Sequence, residues 1–195
     1  MNILTEPLPR TIHVLGADYP VATDFRAWVR FSIQMQDEAA SEKKLVAMLS
    51  LLEDSLPPRF EDTVSALLAF YAGGEQAEDA PVQKEAQGAR IYDFAYDSGL
   101  IYAAFFQQYG LDLQRADLHW WQFKALFNAL SEDTQFMKVV GYRGIDAGKI
   151  KDKTQREFYQ RMKRQYALPI PKSEREQLSR IEEALLSGGD LTGLV

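Results

Sequence analysis

Residues 117–130 read Asp117-Leu118-His119-Trp120-Trp121-Gln122-Phe123-Lys124-Ala125-Leu126-Phe127-Asn128-Ala129-Leu130. Large apolar side chains recur there three and four apart, the period of an α-helix with one buried face. Asp117 is the expected cap, because a short carboxylate accepts from the unpaired N–H groups of a first turn. Trp120, Phe123 and Phe127 fall on one face and belong to a core. Trp121 points about 100° away from them. Exposed tryptophan is enriched at protein-contact hot spots, so Trp121 is a candidate contact residue.

The same period extends in both directions. Upstream, Asp97 or Ser98 opens a helix bearing Leu100, Ile101, Ala104, Phe105 and Gln108, and Gly110 supplies a left-handed C-terminal residue. Downstream, Ser131 and Glu132 open a short helix through Phe136, Val139 and Val140, with Gly141 as its expected end and a glycine-rich loop over 141–150. Thr154 then opens a basic helix carrying Phe158, Tyr159, Met162 and Tyr166, broken at Pro169 and Pro171. A capping box of Ser173 and Glu176 starts a last helix with the stripe Leu178, Ile181 and Leu185.

In the N-terminal half, Thr23 and Asp24 precede a helix with Phe25, Trp28, Val29 and Ile33 on its apolar face, and Ser41 precedes another with Leu45, Val46, Met48, Leu49 and Leu52. Pro57-Pro58 ends that helix and starts a third, striped by Val64, Leu67, Leu68 and Tyr71 and stopped at Gly73-Gly74. The first 22 residues read as a β-hairpin: a strand at Thr11–Leu15, a turn at Gly16-Ala17-Asp18, and an edge strand returning through Tyr19-Pro20-Val21. Two strands are marginal alone, so helices must lie beneath them. The predicted class is mostly α: a compact helical domain of about seven helices with a small N-terminal β-hairpin.

Only Val82 is a large apolar residue between 73 and 88, and a segment with nothing to bury does not offset its ordering entropy. The expected organisation is therefore 1–72 as hairpin plus three helices, 73–88 as a mobile linker, 89–169 as the aromatic-rich part of the same domain, and 170–195 as a C-terminal helix and tail.

With 195 residues, 46% apolar and 26% charged, the chain has the profile of a globular protein able to build its own core. The absence of cysteine removes disulfides, thiolate metal sites and thiol chemistry. A net charge of −6 argues against nucleic acid as the main partner. No apolar run approaches the ~20 residues of a membrane helix, and no signal peptide opens the chain, so an intracellular protein is expected. The charge is uneven. Residues 1–88 carry 7 basic and 14 acidic side chains, residues 89–195 carry 15 and 14, and the span Lys138–Arg175 holds 11 basic against 4 acidic. A solvated helix face accounts for this; so does a head-to-tail contact between copies, the acidic half of one against the basic stretch of the next.

Catalytic patterns are missing. His13 sits alone on a strand, and His119 has only Asp117 nearby, too few ligands for zinc. His119 is read as a packed or capping residue, with an acid/base role as the minor alternative. Asp93 and Asp97, four apart, could form a carboxylate pair, but Asp97 is better explained as a cap. No glycine pattern cradles a phosphate or dinucleotide. No enzyme activity, cofactor or metal is expected. The hinge-linked stripe of Leu178, Ile181 and Leu185 either docks on its own domain or lies in a groove of another chain. Together with Trp121 these three are the candidate interaction residues.

Several stretches resemble the bacteriophage gene-product-fifteen family of tail proteins. They are Tyr19-Pro20-Val21-Ala22-Thr23-Asp24-Phe25-Arg26, the run from Tyr96 to Phe105, Tyr109-Gly110-Leu111-Asp112-Leu113, the run from Leu118 to Phe127, Gly141-Tyr142-Arg143, and the Phe158–Pro169 helix with its terminator. The resemblance reaches to Pro169, and the tryptophan pair is its most specific part. It implies a tail morphogenesis protein, thought to act as an assembly chaperone that coats the tape measure protein in the cytoplasm of the bacterial host. It also implies contacts with other tail proteins, with no catalytic residue to carry over. The uneven charge and the hinge-linked terminal helix suit self-association along a filament, and the acidity and the lack of a long apolar run leave no nucleic acid or membrane partner expected. A structural component of the virion tail is the alternative, and a small enzyme using His119 a further one.

Overall fold

The computed structural model describes residues 2–36, 41–73 and 90–169. Among them are two strands, β1 (Thr11–Val14) and β2 (Ala17–Pro20), and seven α-helices: α1 (Phe25–Gln36), α2 (Ser41–Leu49), α3 (Phe60–Tyr71), α4 (Ser98–Tyr109), α5 (Trp120–Asn128), α6 (Gln135–Gly144) and α7 (Lys153–Gln165). A 3-10 turn at Ala147–Lys149 joins the last two. The class is the expected one, mostly helical with an N-terminal hairpin. The linker over 73–88 lies almost wholly outside the described residues, as does the C-terminal segment with Leu178, Ile181 and Leu185.

β1 and β2 pair antiparallel with His13 opposite Asp18. Their turn is Leu15-Gly16, both with positive φ (49° and 82°), instead of the expected Gly16–Asp18. Two-residue hairpin turns with positive φ match the right-handed twist of the strands, which is why the shorter connection wins. Ile12 and Val14 point inward and are buried, with β1 lying on α3.

One aromatic core joins the N- and C-terminal parts of the described chain, from Ile12 to Phe136. Trp28 of α1 is fully buried and stacks on Phe70 and Trp120, with centroids 5.0 and 6.1 Å away. Phe123 of α5 stacks in turn on Trp120, Phe25, Phe105 and Phe127, at 4.7–5.8 Å. Each such pair adds about 0.5–1.5 kcal/mol beyond the area it buries. The predicted face of Trp120, Phe123 and Phe127 is thus the centre of the molecule.

Several boundaries differ from the sequence reading. α3 begins at Phe60, after the prolines, and buries Thr63, Leu67 and Phe70 while Leu68 faces outward. α6 is capped by Thr134 and runs through Gly141 to Gly144. A side chain at Gly141 would meet nothing within 4 Å, so that glycine is neither needed for a turn nor a stop. Asp152, not Thr154, caps α7, accepting from the Gln155 N–H at 2.7 Å. Of Thr23 and Asp24, which precede α1, Asp24 caps it, accepting from the Arg26 N–H at 2.7 Å, and Gly110 ends α4 with φ +67° as expected.

Candidate functional site

The last carbonyls of a helix lack intrahelical partners and sit at the negative end of its dipole. At the end of α3 three side chains of α5 meet them. Trp121 Nε1–H donates to Phe70 O at 2.8 Å, Trp120 Nε1–H to Tyr71 O at 2.9 Å, and Lys124 Nζ to Ala72 O at 2.6 Å. The Trp121 ring also packs on Phe70, with centroids 5.6 Å apart. Trp121 is therefore half-buried and already hydrogen-bonded, which corrects the expectation of a free surface ring.

His119, not Asp117, caps α5. Its Nδ1 accepts from the Trp121 N–H at 3.0 Å, while Gln122 Oε1 accepts from the His119 N–H at 3.0 Å, a capping box with an imidazole in the serine's place. With Nδ1 accepting, Nε2 carries the proton and donates to Pro9 O at 2.8 Å. Burial pushes the imidazole below its ordinary value; the Pro9 carbonyl pulls it back up and the Arg10 charge adds a further push down. Both ring nitrogens thus hold backbone in place. His13 is exposed and pairs with Asp18 at 2.9 Å across the hairpin.

Asp93 and Asp97 do not form an acid/base pair. Asp93 Oδ1 accepts from the N–H groups of Ala95 and Tyr96, shaping the turn before α4. Asp97 makes no side-chain cap, contrary to the sequence reading. It is buried against Arg143, whose Nη1 and Nη2 donate to its two oxygens at 2.6 and 2.9 Å. Arg143 also donates to Ile91 O and Tyr166 O. It thereby ties the start of α4 to the end of α7. Among the described residues no three His, Asp or Glu side chains are grouped to hold a metal, and no helix is long and apolar enough to cross a membrane. A cleft of about 120 Å³ between α1 and α2, lined by Arg30, Gln34 and Ser50 among others, is well below the ~300 Å³ of the smallest ordinary ligand sites.

The surface offers apolar faces instead. α4 buries Ile101, Ala104 and Phe105, yet its opposite side shows Tyr96, Gly99, Ala103 and Phe106, spaced three and four apart at the helix and its entry. Tyr96 and Phe106 are more than half exposed, at 55% and 56%. α4 carries no charged residue, its exposed polar side chains being Ser98, Gln107 and Gln108, and an apolar helix side is normally covered. α7 has no buried residue, and its Phe158, 39% exposed, packs edge-on to Tyr142 with the Arg161 guanidinium 5.7 Å from its ring centre.

A sequence profile for the family described as Bacteriophage Gp15 protein matches residues 4–168. The chain belongs to the bacteriophage Gp15 family. The matched span includes the hairpin and all seven described helices of this Gp15 protein and stops ahead of 170–195. No curated protein and no solved structure matches it. The stretches that carry the resemblance become structural devices in this Gp15 protein. Arg26 Nη2 donates to Leu113 O and Ala116 O, Asp97 pairs with Arg143, and His119, Trp120 and Trp121 join α5 to α3 and to the N-terminal segment. The sequence reading missed Tyr96 and Phe106. The signal was present: α4 has no charged residue on any side.

Proposed function

We propose that this Gp15 protein is a tail morphogenesis factor, an assembly chaperone that binds the tape measure protein in the host cytoplasm until tail tube subunits replace it. The observation that carries the reading is the outer face of α4, apolar yet open to solvent beside an apolar inner face. A tape measure is a long, largely helical chain with much apolar surface. A face of Tyr96, Ala103 and Phe106 offers it an amphipathic-helix docking strip. Many such contacts of modest strength give a firm coat that can still be displaced one copy at a time.

Affinity capture with tagged tape measure fragments tests this. The wild-type protein should retain at least one fragment. Phe106→Asp should weaken capture about 30-fold, as expected for an aromatic anchor worth about 2 kcal/mol, with an unchanged melting temperature. Capture that ignores Phe106→Asp would remove α4 as the site, and failure to retain any fragment would remove the chaperone reading. Recovery of the protein in finished virions at the stoichiometry of a tail component would favour a structural role instead.

A further inference from the structure

We infer that the protein self-associates head to tail, the acidic segment 53–62 of one copy seating on the basic outer side of α7 in the next. The two surfaces have complementary make-up. The segment between α2 and α3, with the first turn of α3, carries Glu53, Asp54, Glu61 and Asp62 against Arg59, which pairs with Asp62, and includes the exposed Leu56 and Phe60. Those two apolar side chains are 64% and 54% exposed. α7 and the residues before it carry seven basic and two acidic side chains from Lys149 to Arg164, with the exposed Phe158 within that stretch and the Arg161 guanidinium 5.7 Å from its ring centre.

Among the described residues no ion pair joins these two surfaces within one molecule. The ion pairs they make among the described residues are local: Arg59–Asp62, Lys149–Asp146 and Lys153–Glu157. The acidic segment is also held in shape before any partner arrives. The Glu53 N–H donates to Pro20 O, the Ala22 N–H donates to Leu51 O, and Pro57 is buried. A pre-ordered segment loses little freedom on docking.

A second copy is the occupant that the charge distribution selects. Two copies meeting through the same half repel, whereas an acidic N-terminal half and a basic α7 attract and orient each other. Because the two surfaces differ, the contact is heterologous and either closes into a ring or propagates as a filament. This inference does not rest on tape measure binding.

Sedimentation of the full chain over a range of concentrations tests it. Association should weaken on the order of tenfold as the screening length shortens from about 30 Å at 0.01 M salt to about 8 Å at 0.15 M. Glu53→Lys with Asp54→Lys should abolish assembly, and so should Arg161→Glu with Arg164→Glu, since each places like charges in contact. An equal mixture of the two variants should recover it, because the reversed surfaces now match each other, and recovery also shows that both variants are folded. A wild-type protein that stays monomeric at low salt would overturn the inference. So would a variant that assembles like wild type, or two deficient variants that fail to rescue each other.

Discussion

Arg143 makes four hydrogen bonds from one guanidinium, two of them to a carboxylate that is itself 1% exposed. Such a pair gives little net stability over an apolar replacement, but removing one partner strands a buried charge at a cost of about 3–5 kcal/mol. Asp97→Ala should lower unfolding stability by that amount in urea titrations, and Arg143→Lys should also destabilise, because lysine lacks the planar fork. Asp97→Leu combined with Arg143→Met should be milder than Asp97→Ala; equal or greater damage from the pair would contradict this account. His119 makes a different statement. Its folded-state pKa lies below the ordinary 6.5, so the unfolded chain takes the proton first. Its contribution is therefore complete above 6.5 and is lost as pH falls from there towards the lowered value. Thermal melts across that window should show a steeper acid decline for wild type than for His119→Asn, which keeps a capping oxygen but does not titrate. Parallel curves would dismiss the effect.

At the scale of elements, helix ends and the hairpin turn decide the geometry. The tryptophan pair is conspicuous in the sequence, but its acceptors are main-chain carbonyls some fifty residues away, at the end of α3. Local patterning cannot display them. The same holds for the caps: Asp117 and Thr154 have suitable side chains, yet His119 and Asp152 occupy the turns, because the chain path set by Pro9 and the 3-10 turn puts them there. The hairpin turn places Leu15 at φ +49°, where a side chain with a Cβ costs about 1–2 kcal/mol. Leu15 is 58% exposed, so little burial would be lost by replacing it. Leu15→Asn should raise stability by about 1 kcal/mol, since asparagine before glycine is the favoured pair in such turns. An unchanged or lower denaturation midpoint would refute the strain argument.

For the molecule as a whole, the core and the surface have separate duties. A continuous stack from Trp28 through Trp120 and Phe123 to Phe105 and Phe127 links α1 to α4 and α5 in one core. The outer side of α4 and the charged surfaces lie outside that stack. The two binding roles are therefore expected to separate: Phe106→Asp should impair tape measure capture while leaving self-association intact. The charge reversals should do the opposite at the level of single contacts, and lose only the part of capture that depends on many copies acting together.

The sequence alone determined the helical class, the N-terminal hairpin and the buried face of Trp120, Phe123 and Phe127, because these follow from spacings of two, three and four residues that every local turn of chain must obey. Only the tertiary structure decided that His119 caps, that Trp121 is anchored, that Asp97 meets Arg143, and that α4 keeps an apolar side in the open. Those outcomes depend on partners dozens of residues apart, or on which side of an element a neighbour covers, and neither is written in the local order of side chains.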